Sequence, residues 1–498
     1  MTEPCDLTAL EARRLIGRKA LSPVELLESC LARIAAVDHA VNAMVALDTD
    51  RARAAARAAE DAVMRGDALG PLHGLPVGIK DLAETAGLRT TFGSPIFRDH
   101  VPAGDALMVA AIRRAGGIVI GKTNTPEFGA GANTRNAVYG ATGNPFDPTR
   151  SAAGSSGGAA VALATGMAPL CSGSDTGGSL RNPAAFCGIV GFRPSAGLVP
   201  SETRPHGWSN LGVLGPMARN VADTALLLSA MASDDAQDPL AYTLHARTVR
   251  GKPALFHPVR RIDLASLRLA CSEDFGQVPV ERTVREAFRA AAAAARPLFR
   301  ESGDAHPDCA GADDAFQVLR AANFLAAHLE RVRTRPQDVG PNVRVNVEEG
   351  LRYTLEDYAR AATAQTRLYR RFQSFFARWD VLITPAITVS PRPWRELYPT
   401  EIDGQEMRSY VHWLAMAYTV TLAGHPAICL PVGRDAKGMP FGLQIVGPRG
   451  GDAFVLAVAA ALEEAFAADP ALRRPVPDIA ALKAAAPISG MEGFLGFD

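Results

Sequence analysis

No surplus of charge of either sign marks this chain: 52 Lys and Arg stand against 52 Asp and Glu over 498 residues. A nucleic-acid-binding domain shows a basic excess, and partner-gripping tails show like-charge runs, so neither nucleic acid nor a charged tail's partner is expected. Cysteine is scarce and patternless. The seven, at 5, 30, 171, 187, 271, 309 and 429, form no Cys-x-x-Cys pair and no regular spacing. That excludes a zinc knuckle or disulfide frame and suits reduced core thiols. No apolar run approaches the ~18 residues that span a bilayer, and residues 1–10 carry acidic groups where a signal peptide would be apolar. A cytoplasmic protein without membrane contact is expected. Aromatics are sparse at 6%, yet hydrophobic residues reach 48%, ample for a large core. What is abundant is glycine (45) and proline (35), which implies many tight turns.

The first 65 residues read as helical. Ser22-Pro23-Val24-Glu25 has an N-cap serine, a proline at the first helical position and a glutamate two residues on, followed by Leu26, Leu27, Cys30, Leu31 and Ile34 at helical spacing. An Ala- and Arg-rich stretch, 51–65, predicts a second helix. From about residue 71 short apolar strands appear at 75–79, 118–120 and 168–171, with an amphipathic stretch at 106–114 between them. Such alternation predicts an α/β fold with a largely parallel or mixed sheet covered by helices. Residues 240–265 are irregular and include His257-Pro258, a plausible boundary. Then come a strand at 267–271, an alanine-rich helix at 284–295, a mostly helical stretch at 313–378, strands at 380–385, 427–432 and 442–446, and a closing helix at 452–467. Strands on both sides of the helical stretch predict a single domain, 1–498, with the helices as an excursion over one sheet.

Two familiar patterns mislead. Gly116 through Thr123 spells the phosphate-binding G-x-x-x-x-G-K-S/T, but its interior is Ile118-Val119-Ile120, a strand where a loop is required, and Pro126 interrupts the helix that should begin at Lys122. Gly154-Ser155-Ser156-Gly157-Gly158 spells the hydrolase elbow G-x-S-x-G, but residues 147–153 before it are polar and broken by Pro148 instead of a buried strand. His412 and His425 could complete an elbow triad and read equally well as packed or surface residues.

A third reading unites the serine-glycine clusters. Ser155 is followed 24 residues later by Ser179, inside Ser174-Asp175-Thr176-Gly177-Gly178-Ser179-Leu180-Arg181, and preceded by Lys80 at the end of an apolar strand. Glycines around a serine leave backbone N–H groups open to an incoming carbonyl oxygen. Serine needs a base, and a lysine kept neutral by desolvation can be one.

These residues carry a resemblance. Leu72-His73-Gly74-Leu75-Pro76-Val77-Gly78-Ile79-Lys80-Asp81, Gly121-Lys122-Thr123-Asn124-Thr125-Pro126-Glu127-Phe128, Gly154 to Gly158, Asp175 to Gly188, Gly215-Pro216-Met217-Ala218-Arg219 and Phe441 to Pro448 stand in the order and spacing of the amidase signature family, serine hydrolases with a Ser-cisSer-Lys triad. The resemblance runs over about 72–231 and 380–466. It implies the α/β amidase signature fold, a central mixed β-sheet covered by helices on both faces, with 1–65 an N-terminal helical region, 66–235 the signature core and 300–420 a variable, substrate-shaping segment. It implies that Ser179 is acylated, that Ser155 is the cis-serine relaying a proton, and that Lys80 is the base. Thr176, Gly177 and Gly178, with the Ser179 amide, would form the oxyanion hole. Ser156 would hold the lysine amine, Asp175 and Arg181 would brace the loop, and Phe128, Gly129 and Ala130 would line the acyl pocket. No metal or cofactor is implied.

Three positions depart from the family's habit: Ala153 replaces a glycine, Leu82 an asparagine after Lys-Asp, and Asn182 the glutamine usual in glutamyl-tRNA amidotransferase A subunits. The expected substrate is a small-molecule carboxamide, aryl or apolar, with a carbamate or ester open to the same triad. The other classes are a noncatalytic scaffold and a glutamyl-tRNA amidotransferase subunit; a homodimer is open. The charge balance supplies no field to gather an ionised substrate. The aromatics Phe316, Phe324, Trp394, Tyr398, Trp413 and Tyr418 are candidates for a pocket wall or for helix core.

Overall fold

The computed structural model describes residues 3–241 and 256–495. Eleven strands build one sheet: β1 (Met44–Leu47), β2 (Pro76–Lys80), β3 (Ile118–Thr123), β4 (Leu170–Asp175), β5 (Val190–Arg193), β6 (Val213–Ala218), β7 (Arg268–Cys271), β8 (Glu301–Asp304), β9 (Val381–Pro385), β10 (Ala427–Arg434) and β11 (Pro440–Val446). Their spatial order is β1-β3-β2-β4-β6-β5-β10-β11-β9-β7-β8. β2 runs parallel to β3 and β4, and β7 parallel to β8 and β9. The remaining neighbours are antiparallel, so the sheet is mixed as expected.

Strands β2, β3, β9 and β11 are buried along their whole length. Near-continuous apolar runs do this because helices flank the sheet. The helix Gly157–Ala164 is wholly buried and packs against β2, β3, β4 and β6. Only small residues admit so close an approach: a Cβ on Gly158 would lie 2.2 Å from the Asn124 nitrogen.

Local signals hold well. Ser22 and Glu25 form a capping box on the helix Pro23–Val41. The second helix starts at Thr49 because Asp48 caps it, two residues before the alanine-arginine pattern suggests. The helical stretch at 313–378 is three helices, Ala312–Thr334, Pro341–Gly350 and Leu355–Arg378. Four strands, β1, β5, β6 and β8, have no counterpart in the sequence reading; β1, β5 and β8 have only four residues each, and β6 is interrupted by Gly215 and Pro216. Of the irregular stretch at 240–265, residues 242–255 lie outside the described residues. No helix among the described residues is long and apolar enough to cross a membrane.

The phosphate-loop pattern is a strand, as its Ile-Val-Ile interior requires. Lys122 points into the core, where it donates to the Ala83 carbonyl and to Thr85 Oγ1 (3.0 Å).

Candidate active site

β2 delivers Lys80 into the interior at its C-terminal end, 2% exposed. Its Nζ is hydrogen-bonded to Ser155 Oγ (2.7 Å), Ser156 Oγ (2.9 Å) and Ser174 Oγ (2.9 Å), donating to all three when protonated and, when neutral, leaving its lone pair for one of the hydroxyls. Among the described residues no carboxylate lies within ion-pair distance of it. Burial therefore dominates and pulls the lysine down to about 7, against the more distant pull of Asp175. A lysine in this state is substantially neutral near neutral pH and can take up a proton.

The neighbouring strand β4 explains Ser174. Successive strand residues alternate faces, so Ser172 and Ser174 face the same way; Ser172 Oγ accepts the Lys80 backbone N–H (3.2 Å) and Ser174 Oγ the side chain. The glycine between them leaves room for both neighbours: a Cβ on Gly173 would lie 2.6 Å from Leu180 Cδ2 and 2.9 Å from Ser156 Oγ, so those side chains would have to shift, Ser156 away from Lys80.

The Gly154–Ser155 peptide bond is cis. The serine loop is held by Thr134, whose N–H and hydroxyl both donate to the Ala153 carbonyl (3.0 and 2.8 Å). The Ser156 N–H donates to the Ser179 carbonyl (3.3 Å), joining the two serine-bearing loops.

Asp175 organises the second loop. Its carboxylate accepts from Arg181 Nε (3.0 Å) and Nη2 (2.9 Å), from Arg193 Nη1 (3.2 Å), and from the backbone N–H groups of Gly178 (3.0 Å) and Leu180 (3.2 Å). Burial alone would raise this carboxyl, but Arg181 and Arg193 outweigh it and hold it well below the usual range. Arg181 also donates to the Ala417 carbonyl, Gln444 Oε1 and Thr421 Oγ1, clamping the loop to β11 and the helix Ala415–Ala423. Gly178 has φ +106°, where L side chains are strained. Its N–H is engaged by Asp175, whereas the amides of Thr176, Gly177 and Ser179 make no hydrogen bond among the described residues.

These loops floor a cavity of about 130 Å³. Ser155, Thr176, Gly177 and Ser179 line it, as do Phe128, Gly129 and Ala130. Lys80, Ser156, Asp175, Gly178 and Arg181 stand behind that lining. The segment bearing Phe128 is tied down by Glu127, which accepts from Ser94 Oγ (2.7 Å) and the Gly340 N–H (2.6 Å), and by Asn342, whose Nδ2 donates to the Ala130 carbonyl (2.9 Å).

Several lining residues escape the sequence reading. Ser174 is foreseeable from strand periodicity, being two residues from Ser172. Leu82, which replaces the family's asparagine, faces the cavity as an apolar wall. Of the six candidate aromatics, Phe316 and Phe324 line this cavity, and Tyr418 stacks behind Phe316 with ring centroids 4.2 Å apart. Trp394, Tyr398 and Trp413 are placed elsewhere: Tyr398 and Trp413 line a different cleft, and Trp394 is buried against Ala141 and Ile488. Arg320 and Tyr410 line the cavity and carried no motif. Neither His412 nor His425 lines this cavity: His425 bonds the Gly447 carbonyl, and His412 accepts from the Arg408 N–H. Among the described residues, the one group placed to hold a metal is Glu3, Cys5 and Asp6, away from this cavity, with both carboxylates already paired to Arg33.

The family model described as Amidase matches residues 25–456. An acylamidase of Rhodococcus erythropolis is 34% identical over 464 residues, covering 92% of this chain and 95% of that protein. The A subunit of the glutamyl-tRNA(Gln) amidotransferase from a Picosynechococcus species is also 34% identical, over 475 residues, 90% of this chain and 96% of its own. Among solved structures, a bacterial aryl acylamidase described as one of the amidase signature enzymes superposes with a TM-score of 0.84 at 27% identity, covering 97% of this chain and 99% of its own.

Proposed function

This chain belongs to the amidase family, enzymes that hydrolyse C–N bonds, and we propose that it does so by forming an acyl-enzyme on Ser179. The observation that carries this reading is Lys80, a buried amine without a carboxylate partner, bonded to three serine hydroxyls at the floor of a cavity. Neutral Lys80 takes the Ser155 proton as Ser155 takes that of Ser179, and Ser179 Oγ attacks the amide carbonyl. The amides of Thr176, Gly177 and Ser179 are the donors open to the developing oxyanion; Gly178 contributes the left-handed turn that presents them. Returning along the relay, the proton reaches the leaving nitrogen and the amine departs. Water then attacks the ester by the same route.

The substrate in this reading is a small-molecule carboxamide, aryl or apolar, with carbamates and esters accessible to the same attack. Phe128, Leu82, Phe316 and Phe324 supply the apolar wall. Residues 66–235 form the catalytic core of one domain, and 300–420 shape the pocket; Phe316, Arg320, Phe324, Tyr410, Val411 and Leu414 all come from that segment. Assay of the purified chain on aryl amides, primary amides, carbamates and esters, with Ser179→Ala as control, tests the reading. The variant should lose turnover by about 10⁴-fold or more and lose labelling by a serine-reactive phosphonate; undiminished labelling removes Ser179 from the role.

The equal identity to an amidotransferase's A subunit favours one second reading, a component that works only when assembled with its partners. Turnover of an aryl amide by the chain alone decides against it.

A further inference from the structure

Arg320 is a cation in the wall of the Ser179 cavity, 4% exposed, with an incomplete set of partners. Its Nη1 donates to Tyr410 Oη (2.7 Å) and its Nη2 to Gln317 Oε1 (3.1 Å), both neutral acceptors. The nearest carboxylate is Glu349 Oε2 at 3.9 Å, the outer limit of an ion pair, on a side chain 30% exposed. The guanidinium Nε has no acceptor. Three rings surround the charge, those of Phe316, Phe324 and Tyr410, with centroids 5.9, 5.7 and 5.1 Å away. They strip it of water and fix its plane. Tyr410 lines the same cavity, and its hydroxyl accepts from both Arg320 and Asn346 Nδ2. Two donors occupy its lone pairs, so its own proton remains to be given.

A buried, loosely paired guanidinium beside a tyrosine hydroxyl with a proton to donate is complementary to a planar carboxylate. We propose that Arg320, aided by Tyr410, binds a carboxylate on the acyl part of the substrate, so that the preferred substrates are amides of short dicarboxylic acids. The proposal rests on Ser179 being the acylated residue. The volume supports a short acid: about 130 Å³ must hold everything between the scissile carbonyl at Ser179 and the charge at Arg320. The chain's zero net charge does not oppose this, because the attraction is local and desolvated.

The test compares the monoanilide of glutaric acid with pentananilide, matched in acyl length and differing in charge, on wild type, Arg320→Gln and Arg320→Lys. Wild type should favour the acid in kcat/KM by about 30-fold or more, chiefly through KM, and Arg320→Gln should bring that ratio near one. Arg320→Lys should recover part of the preference. Equal kcat/KM for the two anilides on wild type, or an unchanged ratio in Arg320→Gln, overturns the proposal. Since a glutamine variant can be poorly folded, calorimetric titration of wild type with glutarate reads the site without catalysis. Binding that wild type shows, and that Arg320→Lys weakens only partly, supports the proposal; no binding of glutarate by wild type overturns it, even where anilides are hydrolysed. Failure of the acyl-enzyme reading looks different: glutarate binds, but no amide is turned over and Ser179 is not labelled.

Discussion

Lys80 Nζ lies 2.7 Å from Ser155 Oγ, at the end of a buried strand and out of ion-pair reach of any carboxylate among the described residues. In the proposed mechanism that relationship suits the lysine to act as a base: a carboxylate within ion-pair distance would favour its protonated form, and exposure would restore its ordinary value of 10.5.

The rate of acylation should therefore rise with pH along a limb centred near 7, where Lys80 loses its proton. Measurement of kcat/KM from about pH 5 to about 10 checks this. Lys80→Ala should be slower by orders of magnitude and lack the limb; a wild-type profile in the variant removes Lys80 as base.

The same shift has a stability consequence. Below pH 7 Lys80 is protonated in both the folded and unfolded chains, and its burial penalty is constant. Between 7 and 10.5 the unfolded chain holds a proton that the folded one lacks, so this group makes stability rise with pH, by at most about 1.4 kcal/mol per unit. Urea unfolding of wild type against Lys80→Met should show wild type gaining on the variant across that window and flat relative to it below 7.

Asp175→Asn should destabilise the fold by about 3–5 kcal/mol, because it leaves Arg181 and Arg193 buried without their shared counter-charge. Asp175 also favours the charged form of Lys80, so any residual activity should show its rising limb at lower pH than wild type. Denaturant titration and a pH profile read the two effects separately.

Gly178→Ala should cost about 1–3 kcal/mol in backbone strain at φ +106°. A clash adds to this, since the new Cβ would sit 2.5 Å from Ala417 Cβ and 2.4 Å from Asn182 Oδ1. Activity should fall more than stability, as the turn positions the neighbouring amides; thermal unfolding and kcat on one preparation compare them.

The strand that carries Lys80 is legible because it is an apolar run ending in a polar residue, and the serine clusters because glycine brackets them; the strand that carries Asp175 is legible only at its start, since the apolar run read at 168–171 gives way to Ser172, Gly173 and Ser174 while the strand continues to Asp175. Ser174 is within reach of strand alternation. Arg193, Arg320 and Tyr410 are not: each takes its role from a partner on another element, as Arg193 does from Asp175, 18 residues back and across the sheet, and Arg320 from Tyr410, 90 residues on. Their immediate sequence contexts are those of an ordinary strand, helix and loop. Net charge is silent on Arg320 for the same reason, being a sum over the chain in which one buried cation disappears. The aromatic candidates divide because composition cannot say which side of a helix meets the cavity.

The ties from Glu127 and Asn342 hold the Phe128 segment to the helix Pro341–Gly350 and its N-terminal end, while the serines rest on Thr134, Ser156 and β4. Selectivity and reactivity thus hang from separate supports. Grafting residues 312–350 from a relative should shift acyl-group preference only part of the way towards that relative's, because Leu82, Phe128, Tyr410, Val411 and Leu414 also line the cavity, while the pH limb stays where Lys80 sets it.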